Sequence, residues 1–556
     1  MKKIAMRSVR AALQLIPKTL KDKLKQNERL TGLYVRSVRK SGLFFDAPTP
    51  KQTQALYGHW LKVNESYFSE SMTKIGEWQA VIFGTDNQGV TKEYIKSLGA
   101  KTCLITGELA LGALEKQISL LDDRLPTLLL NGGDFVESSA IRHLFEALKD
   151  NDIVYCDTDE LSSNGVKTSP RFLPDWNPEL QYSTAYIDSG VLIKTSLLKS
   201  LKISNQTTIA ELIADLSLTN NDLAINHIAL PLVHLSVTEG KRVNLLEGVK
   251  KAIEKRSGAK VELDEMFNVN RLCWPNSNPM VSLIIPTRNG KELVKACIES
   301  ILEKTTYRNY EILLIDNDSD EQESIEYFSY LNTLGKVRVL RYPEPFNYSA
   351  INNFGVEHSK GSILGLINND IEVISPEWLT YMVGHVERDN VGCVGAKLLY
   401  SDTRIQHAGV VLGYGGGAGH AHKNFPRYHT GYLNRIIATN NYSAVTAACL
   451  LVKRSHFDAV NGLNANDLTV AFNDVDFCLK VKSLGVQNVY CAEAELFHHE
   501  SVSRGLDISP EKAARFNREL AYLQKKWSAL IKADPAYNPN LTLKRENFSI
   551  KSAVEF

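Results

Sequence analysis

Polar and acidic side chains directly follow an apolar run in the stretch LGLINNDIEVISPEWL, residues 364–379. Asn368, Asn369, Asp370 and Glu372 stand where a buried strand would end. Carboxylate and carboxamide groups beside an apolar core cost free energy unless a partner offsets that cost. A divalent cation would offset it, and so would exposure of the strand end to water. The stretch alone leaves both explanations open.

Two further apolar runs end in polar groups of the same kind. IIPTRNG, residues 284–290, turns sharply after its strand, and LLIDNDSD, residues 313–320, ends in carboxylates and an amide. Such groups are suited to a nucleotide, because they can hydrogen-bond a base or a ribose. The candidates at these two strand ends are Pro286, Thr287, Arg288, Asn289, Asp316, Asn317 and Asp318.

Strand-like runs alternate with helical runs around these motifs, which predicts an α/β protein with largely parallel sheets. The alternation begins near Trp78 and restarts near residue 281. TLLLNGGDFVESSAIRHLFEAL in the first half matches LGLINNDIEVISPEWLTYMVGH in the second in the order and type of its residues. We therefore predict one domain type used twice, with ligands at the carboxyl ends of its strands.

Length and charge limit the class of protein. At 556 residues the chain is too long for one core, so at least two domains are expected. Its 64 Lys and Arg nearly balance 63 Asp and Glu, and a net charge of +1 argues against nucleic acid as a partner. The eight cysteines are scattered without a C-x-x-C pair, which favours reduced thiols in a cytoplasmic protein. No run approaches the ~20 apolar residues that span a bilayer.

The N-terminal segment is strongly basic. Residues 1–40 carry twelve Lys and Arg against two acids, and their apolar residues recur at roughly helical spacing. The segment lacks the uncharged stretch that is typical of a signal peptide. Two interpretations stay open: a helix packed on its own domain, and peripheral attachment to an anionic membrane surface.

In this order the motifs resemble glycosyltransferase family 2, a family of inverting enzymes with the GT-A nucleotide-sugar-binding fold. The resemblance covers about residues 281–505 and is carried by VSLIIPTRNG, ILLIDNDS, LINNDIEV, FNDVDFCLKVKSLG and ELFHHESVSRG. PFNYSAINNFGVEHSKG, VGAKLLYSDTRIQHAGVVLG and DPAYNPNL, with RFLPDWNPELQYSTAYI in the first half, are similar to the bacterial branch that builds O-antigen, capsule and other surface polysaccharides. Longer members of that branch carry two such domains.

The resemblance implies a site for a divalent metal. Family members hold the ion with an Asp-x-Asp motif that bridges the pyrophosphate of the donor, and the matching residues here are Asn368 and Asp370. An amide oxygen still suits Mg²⁺ or Mn²⁺, although its lower charge should weaken metal binding without nucleotide. A histidine from a late strand often completes the site. His498 is favoured over His499, because it follows Asp474 at the family's spacing.

The resemblance also places a catalytic base at Asp474. Inversion requires a carboxylate that removes a proton from the acceptor hydroxyl as its oxygen attacks the anomeric carbon. The family usually presents Glu-Asp, whereas this chain has Asn473 and Asp474, so the neighbouring acid is missing. A helix cap is the alternative interpretation, because Asn or Asp before VDFCLKVKSLG is also a good helix start.

Several further residues are weaker candidates for contact with the donor. Asn368 and Asn369 belong to the metal motif, and Asn347, Asn353 and Arg341 precede it where relatives contact the donor. A role as turn residues is the alternative for the last three. The glycine-rich loop GYGGGAGHAHK, residues 413–423, lacks the ending of a phosphate-binding P-loop and is expected to be a mobile lid or an acceptor loop.

The first half looks like a degenerate copy of the second. Asp134 remains at the position of the metal motif, but glycines replace side-chain ligands in LLNGGDFV. We interpret this half as a non-catalytic GT-A-like domain that could hold the acceptor; an independent second transferase is the alternative. The expected organisation is a basic helical segment at 1–50, the degenerate domain at 51–250, a linker at 251–280, and the catalytic domain with a C-terminal helical extension at 281–556.

These residues and the resemblance together predict a cytoplasmic, membrane-peripheral, metal-dependent inverting glycosyltransferase. It would transfer a hexosyl or deoxyhexosyl group, rhamnosyl included, from a UDP- or dTDP-sugar to a growing polysaccharide or a lipid-linked acceptor. A non-catalytic scaffold of a polysaccharide assembly complex is the alternative, since Asn368 and Asn473 replace acids. A nucleotidyltransferase of the same fold is disfavoured, because IIPTRNGKEL carries little glycine.

Overall fold

Two α/β units joined by a β-hairpin make up the computed structural model. The structure describes residues 47–68, 76–86, 89–109, 113–162, 164–204, 206–220, 222–236, 241–499 and 509–555. The basic segment predicted at 1–50 lies outside these residues except for its last four positions. Among the described helices, none combines the length and the apolar character needed to cross a membrane.

The first unit contains eight strands and eight helices within the described residues. The strands are β1 (Gln79–Phe83), β2 (Thr102–Ile105), β3 (Pro126–Asn131), β4 (Phe135–Val136), β5 (Ile153–Leu161), β6 (Lys167–Arg171), β7 (Val191–Lys194) and β8 (Ile225–Leu235). The helices are α1 (Pro50–Val63), α2 (Val90–Ser97), α3 (Ala113–Ser119), α4 (Ala140–Leu148), α5 (Pro178–Thr184), α6 (Thr195–Lys199), α7 (Ile209–Thr219) and α8 (Lys241–Ser257). The sheet order is β2-β1-β3-β7-β5-β8-β4, and β6 pairs with β5.

The segment predicted as a linker contains the end of α8 and an antiparallel hairpin. Its strands are β9 (Lys260–Asp264) and β10 (Val269–Cys273). Val261, Leu272 and Trp274 share one buried apolar cluster with Val249 and Ile253 of α8. The hairpin is therefore packed against the first unit.

The second unit begins directly after this hairpin. Its strands are β11 (Val281–Thr287), β12 (Tyr310–Asp316), β13 (Val337–Arg341), β14 (Ile363–Ile367), β15 (Ile371–Val373), β16 (Val391–Leu399), β17 (Ile405–His407), β18 (Val410–Leu412), β19 (Ala418–His420), β20 (Asn440–Asn441), β21 (Cys449–Lys453) and β22 (Gln487–His498). Its helices are α9 (Lys291–Lys304), α10 (Gln322–Leu331), α11 (Tyr348–Glu357), α12 (Trp378–Val386), α13 (Arg454–Ala459), α14 (Asn473–Lys482), α15 (Pro510–Lys526) and α16 (Ser528–Lys532).

Both units use the same strand order. The second sheet runs β13-β12-β11-β14-β21-β16-β22-β15, and removal of β13 leaves the order of the first sheet. Both sheets are mixed: β11 lies parallel to β12 and β14, whereas β14 lies antiparallel to β21. The α/β prediction is confirmed, and one topology occurs twice along the chain.

Buried apolar strands form the centre of the second unit. All seven residues of β11 and all seven of β12 are buried, as expected for strands covered on both faces. Val294 and Ile298 of α9 pack with Leu283 on one face of β11. On the other face, Ile284 belongs to a cluster that continues into the first unit through Phe172. The two units therefore share buried apolar surface.

Buried polar contacts also join the two units. Asn177 and Asn441 exchange two hydrogen bonds of 2.9 Å, one from the Asn177 amide to the Asn441 carbonyl and one from the Asn441 backbone N–H to the Asn177 amide oxygen. Asn538 near the C-terminus donates to the buried carboxylate of Asp157 at 3.0 Å. Such groups are costly to bury unpaired, so these bonds fix how the units meet.

Candidate active site

The strand ends that carry the predicted motifs lie side by side. β11 pairs in parallel with both β12 and β14, so the polar residues that follow the three strands share one edge of the sheet. Pro286 and Thr287 form the last two positions of β11 and pair with Ile315 and Asp316. The side-chain amide of Asn369 donates to Oγ1 of Thr287 at 2.9 Å. This bond ties the loop after β14 to the end of β11.

Three predicted metal ligands converge at this edge. Nε2 of His498 lies 3.2 Å from a carboxylate oxygen of Asp370 and 3.3 Å from the amide nitrogen of Asn368. The side chains of His498 and Asp370 are each 8% exposed. The pairing of β15 with β22 produces this convergence, because it sets Ile371 opposite His498.

The three groups fit a divalent ion with open positions. A carboxylate, an amide and an imidazole offer oxygen and nitrogen donors, and Mg²⁺ sites are usually completed by phosphate oxygens and water. A half-turn of the Asn368 amide exchanges its oxygen and nitrogen, so the oxygen can face the ion. Among the described residues no group of three or more His, Cys, Asp or Glu could hold a metal.

His499 has different partners. Its Nε2 lies 3.2 Å from the carboxylate of Glu372, and its Nδ1 lies 2.7 Å from the hydroxyl of Ser401. His498 is the last residue of β22 and His499 follows it, and successive side chains of an extended chain point to opposite sides, so the two histidines do not share a site. The structure brings His498 to Asp370 and places His499 elsewhere.

Asp474 is the second residue of α14 and lies against the backbone just before β21. One carboxylate oxygen accepts from the Val475 backbone N–H at 2.8 Å, and the other accepts from the Ala447 backbone N–H at 3.2 Å. Burial raises the pKa of this carboxyl above its ordinary value. Phe472 is the N-cap residue of α14 and makes no side-chain capping bond, so the helix does not use Asp474 as its cap.

The segment before β21 connects Asp474 to the metal ligands. The backbone N–H of Asn368 donates to the carbonyl of Ala448 at 3.0 Å. The hydroxyl of Tyr348 lies 3.2 Å from the amide oxygen of Asn368 and 3.1 Å from the carbonyl of Ala447. Because Ala447 also donates to Asp474, a short chain of hydrogen bonds links the candidate base and the candidate metal site.

The loop after β11 is held by its own polar groups. The amide of Asn289 donates to Asp320 at 2.6 Å and accepts from the backbone N–H groups of Asp320 and Glu321 at 3.0 and 3.1 Å. Arg288 is exposed and lies 3.6 Å from Asp320. Arg288 and Asn289 therefore both contact residues directly before α10. Any contact of theirs with a donor stays a prediction.

The residues after β12 separate into structural and accessible groups. The amide of Asn317 donates to the carbonyls of Tyr342 and Glu344 at 3.0 and 2.7 Å, so it fixes the chain after β13. Arg341 bridges Asp316 at 3.2 Å and Asp318 at 2.5 Å. The Asp318 side chain is half exposed, at 53%. Of these carboxylates it is the one that a ligand could reach.

The amides of Asn347 and Asn353 are bonded to backbone groups of the protein, and any contact with a donor stays a prediction. Asn347 is the N-cap of α11, and its side chain also donates to the carbonyl of Ala465 at 2.8 Å. Asn353 exchanges two hydrogen bonds with the backbone of Leu463, at 2.9 and 3.0 Å. Their amides hold the segment before α14 against α11.

The acids and amides around Asp474 are also committed to the fold. The amide of Asn473 donates to the carbonyl of Val470 at 3.1 Å. The buried carboxylate of Asp476 accepts from the indole of Trp527 at 2.8 Å and pairs with Lys526 at 2.9 Å. Asp476 therefore joins α14 to α15 and is not placed beside Asp474.

Glu519, to which no sequence motif pointed, positions the segment before the candidate base. One of its carboxylate oxygens accepts from the Thr469 N–H, the Thr469 hydroxyl and the Val470 N–H at 2.9, 2.7 and 3.0 Å. The other accepts from the Ala471 N–H at 2.9 Å. Glu519 lies on α15 and is 2% exposed. One carboxylate thus holds three consecutive residues of the loop that leads to Asp474.

The glycine-rich loop is the turn between β18 and β19. Gly413, Gly415 and Gly416 have φ angles of 95°, 61° and 80°, which glycine adopts without strain. The carbonyl of Gly416 accepts from the amide of Gln524 on α15 at 2.8 Å. Burial lowers the pKa of His422, so the histidine beyond the turn belongs to the interior. Movement of this turn as a lid stays a prediction.

Parts of this chain are similar to known proteins. Residues 282–459 match the family model described as glycosyl transferase family 2. The chain is 42% identical over 446 residues to the uncharacterized protein y4gI of Sinorhizobium fredii, an alignment that covers 76% of this chain and 49% of that protein. It is 32% identical over 414 residues to the O-antigen biosynthesis protein RfbC of Myxococcus xanthus, covering 70% of this chain and 31% of that protein. The chain thus spans half or less of the length of these relatives.

Among solved structures, GalNAc-T7 with UDP, GalNAc and Mn²⁺ is similar with a TM-score of 0.39 and 14% identity, covering 52% of this chain and 57% of that one. The family match runs from β11 to the end of α13 and includes Asn368 and Asp370. Residues 282–459 of this chain are therefore similar to glycosyl transferase family 2.

Proposed function

We propose that the second unit is a metal-dependent inverting glycosyltransferase. The observation that carries the proposal is the convergence of Asn368, Asp370 and His498 at the sheet edge, with Asp474 linked to them through the segment before β21. A divalent ion held by the first three groups would neutralise charge on the diphosphate of a nucleotide-sugar donor. The family of residues 282–459 supports the same reaction class.

Asp474 acts as the base in this proposal. Its carboxylate takes the proton of the acceptor hydroxyl while that oxygen attacks the anomeric carbon on the side opposite the leaving diphosphate. Burial raises the pKa of Asp474, which strengthens it as a base relative to an exposed aspartate. The two backbone N–H groups of Val475 and Ala447 hold the carboxylate in place.

Donor recognition falls to the loops after β11 and β12. Thr287 and Asn369 are bonded to each other at the sheet edge. Asp318 follows the adjacent strand β12 and is half exposed. Hydrogen bonds from a ribose to such a carboxylate would orient the donor. We propose a UDP- or dTDP-linked hexose or deoxyhexose, rhamnose included, as the sugar that is transferred.

The acceptor in this proposal is a growing surface polysaccharide or a lipid-linked oligosaccharide. The name of the Myxococcus relative, an O-antigen biosynthesis protein, supports this class. The ten excess positive charges of residues 1–40 would favour contact with the cytoplasmic face of the inner membrane, where a lipid-linked acceptor would be met. The reaction would then take place in the cytoplasm at that surface.

Donor hydrolysis and donor binding by the purified chain test the proposal. A panel of UDP-, dTDP- and GDP-sugars with Mn²⁺ or Mg²⁺ would be compared between the wild type, Asp370→Ala and Asp474→Asn. Asp458→Asn on exposed surface is the matched control. Metal-dependent release of one nucleotide, lost in both site variants and kept in the control, is the expected result. Absence of metal-dependent donor binding would refute the transferase and favour a non-catalytic scaffold.

A further inference from the structure

A cleft of about 950 Å³ opens in the first unit, at the carboxyl ends of its strands. Residues 83–86 at the end of β1 and 131–134 at the end of β3 form one side, and α8 contributes the other. The cleft occupies the place in the first sheet that the candidate active site occupies in the second. Ligands of open α/β sheets bind at this edge, and the volume lies in the range of small-molecule sites.

The first unit keeps two residues at the positions of the metal ligands. The residue after Asp134 pairs with His234, just as the residue after Asp370 pairs with His498. Glycines at 132 and 133 stand where the second unit has two asparagines. One carboxylate and one histidine therefore survive in equivalent strand positions, while the side chain equivalent to Asn368 is gone.

Asp134 and His234 are each bonded to other groups of the protein. The imidazole of His234 lies 2.9 Å from Glu137 and also contacts the buried carboxylate of Asp159. Asp134 accepts from the backbone N–H of Ser236 at 2.8 Å. Neither group is directed at the other, so the first unit does not reproduce the arrangement that would hold an ion beside a diphosphate.

The charge of the cleft argues against a phosphorylated ligand. Two basic residues, Arg171 and Lys251, line it, and the guanidinium of Arg171 is already paired with Asp188 at 3.2 Å. Carboxylates and amides accept hydrogen bonds from hydroxyl groups, and the carboxylates repel the anionic oxygens of a nucleotide. Six acids line the cleft: Asp86, Asp134, Glu160, Asp188, Glu211 and Glu247.

The wall formed by α8 offers groups that suit an uncharged polyhydroxyl ligand. Asn244 is exposed and Glu247 is half-buried on this helix, and both face the cleft together with the Thr207 and Thr208 hydroxyls at the start of α7. Gly248 lets α8 approach the start of α7 closely, because a Cβ there would lie 2.9 Å from the carboxylate of Glu211. Amide, hydroxyl and carboxylate groups at one wall can satisfy several sugar hydroxyls at once.

We propose that the cleft of the first unit binds an uncharged saccharide. Identification of this saccharide with the acceptor rests on the function proposed for the second unit. Saccharide binding by the cleft does not rest on that function. In this arrangement the degenerate unit holds a polysaccharide segment while the second unit binds the nucleotide-sugar. The acids of the cleft exclude the donor from the wrong unit.

Saturation-transfer NMR with the full chain tests the proposal. The probes are the methyl glycosides of glucose, galactose, mannose, rhamnose and N-acetylglucosamine, with UDP as the charged probe. Asn244→Ala and Glu247→Gln alter the cleft wall, and Glu254→Gln on the exposed side of the same helix is the matched control. Asp370→Ala removes the candidate donor site of the second unit. Titration of the best saccharide would give an apparent Kd for each variant.

We expect at least one saccharide to bind, with about tenfold weaker affinity in each cleft variant and unchanged affinity in Glu254→Gln and Asp370→Ala. No saccharide binding, or binding unchanged by both cleft variants, would overturn the proposal. UDP binding that is weakened by Glu247→Gln and kept in Asp370→Ala would also overturn it. Saccharide binding without any donor turnover would leave this inference standing and count against the proposed transferase.

Discussion

Replacement of Glu519 by glutamine should disturb the placement of the candidate base and leave donor binding unchanged. The carboxylate accepts four hydrogen bonds from Thr469, Val470 and Ala471, and it is 2% exposed. Glutamine keeps one oxygen and turns an N–H₂ group towards at least one of these donors. Each lost bond to a charged acceptor costs about 1.5–3 kcal/mol, so the loop should lose at least that much local stability.

The loss should appear in the rate. Ala471 lies three positions before Asp474, so a shift of residues 469–471 moves the start of α14 and the base with it. A misplacement on the order of 1 Å costs about a hundredfold in rate. The candidate metal ligands Asp370 and His498 lie next to β15 and at the end of β22, apart from the loop that Glu519 holds. We therefore expect kcat to fall by about 10- to 100-fold, with donor affinity unchanged.

Steady-state kinetics of donor hydrolysis or transfer would give kcat and KM, and calorimetry with UDP and Mn²⁺ would give donor affinity. Glu511→Gln on the exposed start of the same helix is the control, and it should behave like the wild type. The reasoning fails if Glu519→Gln keeps the wild-type kcat. It also fails if UDP affinity falls in proportion to kcat, since that result would indicate general disruption of the site.

Three further changes have defined outcomes. His498→Ala should weaken Mn²⁺ binding in the presence of UDP by about tenfold or more, and His499→Ala should have little effect, as calorimetry would show. Burial raises the pKa of Asp474 in the folded state, so its contribution to stability is present at low pH and is lost as pH rises through that raised pKa. The stability of Asp474→Asn relative to the wild type should therefore increase between acidic and neutral pH in urea unfolding, and a constant difference would contradict this. Asn177→Ala removes two bonds to Asn441 and a helix cap, so guanidinium unfolding should show a loss of about 2–4 kcal/mol, and a loss under about 1 kcal/mol would count against it.

The strand ends were predictable because their signal is local. An apolar run followed by polar residues marks both where a parallel strand ends and which side chains reach the sheet edge. Asn368 and Asp370 were found this way, and the repeated topology followed from the matching order of runs in the two halves. The family resemblance selected His498, and the structure brings it within 3.2 Å of Asp370. Whether these residues bind metal stays a prediction.

Long-range hydrogen bonds were not predictable from the sequence. Glu519 meets Thr469 across 50 positions, and nothing in an amphipathic helix distinguishes this acid from its exposed neighbours. Likewise, the amide of Asn317 binds two carbonyls about 25 residues away, which its position at a strand end did not predict. A polar side chain at a strand end hydrogen-bonds to whichever partner the tertiary fold brings near. That partner cannot be identified from the local sequence.

The amide at position 368 determines when the ion should bind. In Asn368→Asp, two carboxylates and His498 would face one point, and the added charge should favour a divalent cation before any donor arrives. In the wild type, Asp370 supplies the one full charge among the three proposed ligands, so the diphosphate of the donor must contribute the rest. We expect Asn368→Asp to tighten Mn²⁺ binding without UDP by about tenfold or more. With UDP present, the gain should be smaller.

Asn369→Asp is the matched control, because it adds the same charge one residue away on a side chain that binds Thr287. Calorimetry of Mn²⁺ binding, with and without UDP, distinguishes the two variants. Equal tightening in both would mean that charge near the strand end suffices and that position 368 is not a ligand. No tightening in Asn368→Asp would refute the three-ligand site. Tightening confined to Asn368→Asp would mean that this chain uses an amide ligand so that metal and donor bind together.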